Sequence, residues 1–168
     1  MSIPRKFEGR WIFENLATGR YLFASDKPAG PDIHYPLCVG ADANYLGRAV
    51  WKIIQKDCET YYIKNEATGR YLYQTGDKVD PDKPEGGWGK APKTVTADDQ
   101  NLYQVIWKVV PDGEAYFLIN VHTDRYALQT GQQIEGDHGD EEGWANAPKV
   151  VGADCNYYGI PRWKLIKQ

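Results

Sequence analysis

One strand pattern, written three times at a fixed interval, constrains this chain more than any other feature. Trp51-Lys52-Ile53-Ile54 recurs as Trp107-Lys108-Val109-Val110 and as Trp163-Lys164-Leu165-Ile166, 56 residues apart each time. Pro36, Pro92 and Pro148 keep that interval, as do Val39, Val95 and Val151 and the pairs Ala41-Asp42, Ala97-Asp98 and Ala153-Asp154. A period of this length marks units that cannot bury their apolar face alone and must pack on one another.

The first half of each unit repeats as well. Asn15-Leu16-Ala17-Thr18-Gly19-Arg20-Tyr21-Leu22 matches Asn65-Glu66-Ala67-Thr68-Gly69-Arg70-Tyr71-Leu72, and the third copy reads Asn120-Val121-His122-Thr123-Asp124-Arg125-Tyr126-Ala127. Here the offsets are 50 and 55 residues, so length differences sit in the connecting loops, where insertions are tolerated. The units run about 7–55, 56–111 and 112–168 and leave no linker, which predicts a single domain over 1–168.

Each unit reads as strands. Trp11-Ile12-Phe13, Tyr61-Tyr62-Ile63 and Tyr116-Phe117-Leu118-Ile119 are aromatic and β-branched runs, which favour a pleated surface. The Ala-Thr-Gly turn predicts a left-handed residue at Gly19 and Gly69. Asp124 replaces Gly in the third copy, and Asp tolerates that conformation better than most residues. No amphipathic helix is evident. The 17 Gly and 10 Pro fit many turns. Terminal copies carry the same apolar positions as the middle one, unlike the atypical caps of a stack. Closure into a ring buries those positions and hides strand edges.

A unit of this length, with an Asn-x-x-Thr-Gly-Arg-Tyr-Leu hairpin and a terminal Trp before apolar residues, resembles the β-trefoil superfold. The resemblance covers essentially the whole chain and implies an all-β fold of three pseudo-symmetric repeats with about four strands each. Lectin-type trefoils, fungal and ricin-B-like, are the most similar. Ricin-type lectins carry Gln-x-Trp on the last strand, whereas this chain has Ala49-Val50-Trp51, Val105-Ile106-Trp107 and Pro161-Arg162-Trp163. The ricin-type sugar site is therefore not carried over. The Gly-Arg-Tyr-Leu hairpins also resemble fascin-like actin-bundling trefoils, and mycocypin protease inhibitors share the shape.

The repeats supply an internal control. What all three copies share is expected to serve the fold: Trp51, Trp107 and Trp163 as core, the Asp after each Ala as a turn residue, and Arg20, Arg70 and Arg125 as structural. What two copies share and the third lacks is freed from that requirement. Gln74-Thr75-Gly76 matches Gln129-Thr130-Gly131, where copy one has Ala24-Ser25-Asp26. Gly87-Trp88-Gly89-Lys90-Ala91-Pro92-Lys93 matches Gly143-Trp144-Ala145-Asn146-Ala147-Pro148-Lys149, where copy one has no Trp. Both Trp residues sit in polar loops. An exposed indole beside amide, hydroxyl and charged groups suits a sugar, its face packing on pyranose C–H groups. The competing reading is a Trp folded back over the barrel mouth. The expected ligand set is Gln74, Thr75, Gly76, Trp88 and Lys93 in one copy and Gln129, Thr130, Gly131, Trp144, Asn146 and Lys149 in the other.

Other function classes find less support. A net charge of −3 with no basic block argues against nucleic acid. The acidic stretches around Asp80–Glu85 and Glu135–Glu142 lack the spacing of a calcium loop and the Gly at its central position, so no metal and no cofactor is expected. His34, His122 and His138 belong to no catalytic or metal motif, and no enzyme activity is expected. The expected partners are glycans or glycoproteins, with no membrane insertion; a homodimer is compatible with the sequence. A trefoil protease inhibitor acting through loop 76–92 or 131–148 is the alternative, and a fascin-like actin-binding module the third.

Met1 to Phe7 holds no apolar run of the kind a signal peptide needs. Together with an odd count of cysteines, Cys38, Cys58 and Cys155, this predicts a cytoplasmic protein with reduced thiols, non-classical secretion remaining open. Labelling the unfolded, unreduced protein is expected to find three free thiols; a count of one would reveal a disulfide and an oxidising compartment.

Overall fold

The computed structural model describes residues 7–28, 37–42, 49–78, 92–97, 103–133, 149–154 and 161–168. The described residues form twelve strands in one continuous sheet. The first repeat holds β1 (Gly9–Asn15), β2 (Tyr21–Pro28), β3 (Leu37–Asp42) and β4 (Val50–Gln55). The second holds β5 (Tyr61–Asn65), β6 (Tyr71–Lys78), β7 (Pro92–Ala97) and β8 (Ile106–Asp112). The third holds β9 (Ala115–Asn120), β10 (Tyr126–Gln133), β11 (Lys149–Asp154) and β12 (Arg162–Lys167). The only helical segment among the described residues is a 3-10 turn at Tyr103–Val105.

The first and fourth strands of each repeat close a barrel. Antiparallel pairing runs β1–β4, β4–β5, β5–β8, β8–β9, β9–β12 and back from β12 to β1. The second and third strands form three hairpins, β2–β3, β6–β7 and β10–β11. Their inner strands pair in a triangle, β3–β7, β7–β11 and β11–β3, which caps one end of the barrel. This is the β-trefoil. Closure leaves no barrel strand unpaired, so the sheet offers no open edge there.

The core is threefold in its side chains. Trp51, Trp107 and Trp163 are completely buried, as are Phe13, Ile63 and Leu118 from the first strands and Leu22, Leu72 and Ala127 from the second. A buried indole must place its N–H, and each does so in the same way. Trp51 donates to the carbonyl of Leu22 at 2.9 Å, Trp107 to that of Leu72 at 2.9 Å, and Trp163 to that of Ala127 at 3.0 Å. The fourth strand of every repeat is thereby fastened to the second.

The turn between the first two strands is built on a buried asparagine. The side-chain oxygen of Asn15 accepts the N–H groups of Ala17 and Thr18, that of Asn65 those of Ala67 and Thr68, and that of Asn120 those of His122 and Thr123, all at 3.1–3.3 Å. The turn closes through the N–H of the fifth residue to the Asn carbonyl, at 2.8 Å in each copy. That fifth residue has positive φ: 71° at Gly19, 71° at Gly69 and 59° at Asp124. The exchange of Gly for Asp is thus accommodated in the same left-handed turn.

Repeat two departs from the threefold pattern along β7. Val39 lies opposite Ala24 and Val151 opposite Gln129, but the corresponding place opposite Gln74 holds Thr94, and Val95 lies opposite Tyr73. The strand sits one residue away from the register that the repeat spacing implies. Thr94, Val95 and Thr96 are alike in shape, so alternation along this strand discriminates weakly between registers. The side chains of Val39, Val95 and Val151 lie outside the described residues.

Replacing Trp51, Trp107 or Trp163 by Phe removes the indole donor from a buried carbonyl and leaves a small void. Each change is expected to cost about 2 kcal/mol in urea denaturation, with the three values agreeing to within about 1 kcal/mol, since their hydrogen bonds are equivalent. A silent substitution at any one of them would break the threefold account of the core.

Candidate functional site

The expected ligand residues fall on the cap hairpins of repeats two and three. Thr75 and Gly76 lie in β6, Lys93 in β7, Gln129, Thr130 and Gly131 in β10, and Lys149 in β11. Trp88, Trp144 and Asn146 lie outside the described residues, in the segments that join β6 to β7 and β10 to β11.

Both hairpins change register at the Thr-Gly step. Pairing runs from Gln74 opposite Thr94 to Lys78 opposite Pro92, and from Gln129 opposite Val151 to Gln133 opposite Lys149, so the outer strand carries extra residues. Such an irregularity ends regular pairing and re-aims the chain. It is not peculiar to these two copies: Ala24 pairs with Val39 and Pro28 with Leu37 across the same shift in repeat one. The bulge belongs to the fold, and only its Thr-Gly residues distinguish copies two and three. The lysines are not equivalent in register. Lys149 pairs with Gln133 and Ala41, while Lys93 pairs with Gly152 at the junction of β7 and β11. This follows from the one-residue offset of β7.

Gln74 requires a correction. It is 2% exposed, and its side-chain oxygen accepts a hydrogen bond from the Thr123 hydroxyl at 2.5 Å. A buried amide needs such a partner, and this one links the hairpin of repeat two to the turn of repeat three. Its side chain joins repeats and is not presented to a ligand. In repeat one, Ala24 stands at the matching place and is fully buried; the Thr68 hydroxyl then donates to Asn65 within its own turn, at 3.3 Å. Absence from one copy therefore shows that the fold can do without an amide here, not that the amide faces solvent.

The barrel wall also carries a feature that two repeats share and the third lacks. Tyr62 packs edge-on against Tyr71 with centroids 5.9 Å apart, and Phe117 stacks on Tyr126 at 5.0 Å. Repeat one has Ile12 where the others have an aromatic ring. In repeat three the Arg162 guanidinium lies 5.2 Å from the Phe117 centroid and pairs with Asp112 at 2.5 Å, so Phe117 is engaged by Tyr126 and Arg162 together.

The open end of the barrel is closed by Phe7, buried and edge-on to both Tyr61 and Tyr116 at 5.7 and 5.4 Å. Beside it lies a depression of about 350 Å³ rimmed by Cys58, Glu59, Lys108 and Pro111. Burial pushes the Tyr61 phenol above its usual range, with the charges of Glu59 and Glu8 adding to it. Cys58 is exposed with a free thiol. No expected ligand residue lies here.

No family model matches this sequence, and no curated protein matches it. Solved structures do match in shape. A designed three-fold symmetric protein, ThreeFoil, superposes with a TM-score of 0.64 at 13% identity, covering 96% of this chain and all of that one. SeviL, solved with asialo-GM1 saccharide, gives 0.59 at 16% identity over 95% of this chain and 98% of its own. The Polyporus squamosus lectin, solved with a sialylated influenza-binding epitope, gives 0.64 at 14% identity over 98% of this chain and 50% of its own. At these identities the likeness shows the fold, a β-trefoil. No helix among the described residues is long and apolar enough to cross a membrane.

The Gln74–Thr123 bond carries a prediction. Gln74→Ala and Thr123→Val are each expected to destabilise the fold, and their combination to show a coupling of about 1 kcal/mol in a double-mutant cycle. Additive effects would mean that the bond does not tie the repeats together.

Proposed function

We propose that this chain is a carbohydrate-binding protein with two related glycan sites on the cap hairpins of repeats two and three. The observation that carries the reading is the Gly-Trp loop, present in two copies of an otherwise threefold unit and absent from the third. Repeat one forms the same hairpin, with the same register shift, without it. A feature that the fold can do without in one copy is free to serve a use outside the fold. The likeness in shape to SeviL and the Polyporus lectin, both solved with saccharides, supports a sugar as that use.

The contact set is Thr75, Gly76, Trp88 and Lys93 in one site and Gln129, Thr130, Gly131, Trp144, Asn146 and Lys149 in the other. The Trp ring packs on a pyranose face while hydroxyl, amide and ammonium groups read its hydroxyls. Gly at the bulge allows the backbone to come close to a ligand. The chain acts by binding and not by catalysis, and two sites in one molecule raise its hold on multivalent surfaces. A cytoplasmic setting fits the free thiol at Cys58.

A glycan array on the intact protein tests this. Trp88→Ala and Trp144→Ala are each expected to weaken binding by about 1 kcal/mol or more, without a matching loss of thermal stability. Asp32→Ala, in the copy that lacks the Trp, is expected to change little. Two Trp variants that collapse the melting temperature would assign these rings to the core. Unchanged binding in folded variants would remove the loops from the site.

A further inference from the structure

The outer wall where repeats one and two meet carries a row of cations that the fold does not call for. Arg10 of β1 lies directly opposite Lys52 of β4, and Lys52 directly opposite Lys64 of β5. Residues paired in this way share a face, and adjacent strands lie about 4.8 Å apart, so the three positive groups rise from a band roughly 10 Å wide. Lys52 is exposed and the Arg10 side chain is half-exposed. Like charges at opposite positions destabilise a sheet.

Relief is partial. The Glu66 carboxylate pairs with Arg10 Nε at 2.6 Å, and that hydrogen bond, with the charges of Arg10 and Lys52, holds the carboxylate below its usual range. The Lys64 ammonium sits 5.5 Å from the centroid of Tyr71, which packs against Tyr62. Lys52 makes no hydrogen bond or close ion pair among the described residues. A depression of about 270 Å³ opens beside the row, lined by Glu8, Gly9, Arg10, Lys52, Ile53 and Ile54.

The other two junctions serve as controls. Their matching positions are Thr60, Lys108 and Ile119, and Ala115, Lys164 and Glu14. Lys108 faces Ile119, and Lys164 faces Glu14. The lysine after the core Trp is threefold, but only one junction flanks it with cations on both sides.

We propose that this wall binds an anionic glycan, with Lys52 and Lys64 meeting sulfate groups on successive sugars and the Tyr71–Tyr62 pair supporting a ring at the end of the row. This rests on the glycan-binding reading above and adds a third, chemically distinct surface to it. Charges spread along a row address several anionic groups on one chain and not a lone ion. The glycan-binding reading favours a sulfated sugar over a nucleic-acid backbone, whose phosphates the same charges would also attract, so a nucleic-acid probe is one arm of the test.

The test uses the full chain and three probes: a sulfated heparin-type octasaccharide, its chemically desulfated counterpart, and an oligothymidylate of matched charge. The sulfated probe is expected to bind about tenfold more tightly than the other two. Lys52→Gln and Lys64→Gln are each expected to weaken it about fivefold, while Lys108→Gln leaves it unchanged. Lys52→Gln is expected to melt no lower than the parent, because it relieves repulsion. Binding of neutral glycans through the Trp loops is expected to persist in all these variants. Equal binding of sulfated and desulfated probes, equal binding of the oligothymidylate, or an equal effect of Lys108→Gln would overturn the inference. If neutral glycans still bind in that case, only the wall is lost; if no glycan binds at all, the glycan-binding reading falls with it.

Discussion

The bond from a buried indole to a backbone carbonyl holds the two parts of this molecule in one arrangement. The barrel and the cap are built from different strands of each repeat, and a barrel of six strands does not by itself specify where its hairpins settle. The fourth-strand Trp fills the space between them, and its N–H donates to the carbonyl of Leu22, Leu72 or Ala127. An indole buried without that acceptor would lose more than the bond is worth when made. The hydrogen bond therefore selects a position for the second strand, and the inner hairpin strands can then meet in a triangle. Ala127 stands where the other copies have Leu, and the bond persists, because it is made to the backbone.

The interior was legible in the sequence because three copies must solve one packing problem. Trp at the close of each unit, the apolar first strand and the left-handed turn residue all recur, and each recurrence has the same physical cause. Asp124 was the informative variation: glycine exchanged for a chemically unlike residue that also tolerates the left-handed region points to backbone conformation and not to side-chain contact. The buried Asn of each turn was visible as a repeated letter, but its work for two backbone N–H groups was not. That role depends on the chain folding back within three residues, which spacing alone does not display.

The site was legible only in outline. Comparing copies separates what the fold requires everywhere from what it does not, but a residue present in two copies can still be structural in those two. Gln74 is such a case. Its partner, Thr123, belongs to another repeat and lies 49 positions away, so nothing in the local sequence announces it. The register of β7 was hidden for a different reason. Threonine and valine are nearly the same shape, and a strand that alternates them reads alike in either phase.

Symmetry and charge are distributed oppositely in this molecule. Inward positions repeat because each must match two counterparts around the axis, and a change in one copy leaves a cavity or a clash. Outward positions meet only solvent and their neighbours across one strand pair, so they can differ between copies at a cost of tenths of a kcal/mol to about one. The aromatic pairs of repeats two and three, the Arg162–Asp112 bridge and the Arg10–Lys52–Lys64 row all lie on this outer surface, and none is threefold. An opposed row of like charges opposes folding slightly, and random drift on a tolerant surface gives it no reason to assemble on three adjacent strands at a single junction. The asymmetry of the wall is thus an argument of the same kind as the asymmetry of the loops. In a fold that demands threefold repetition inside, the places where repetition stops are where interactions with other molecules can be written.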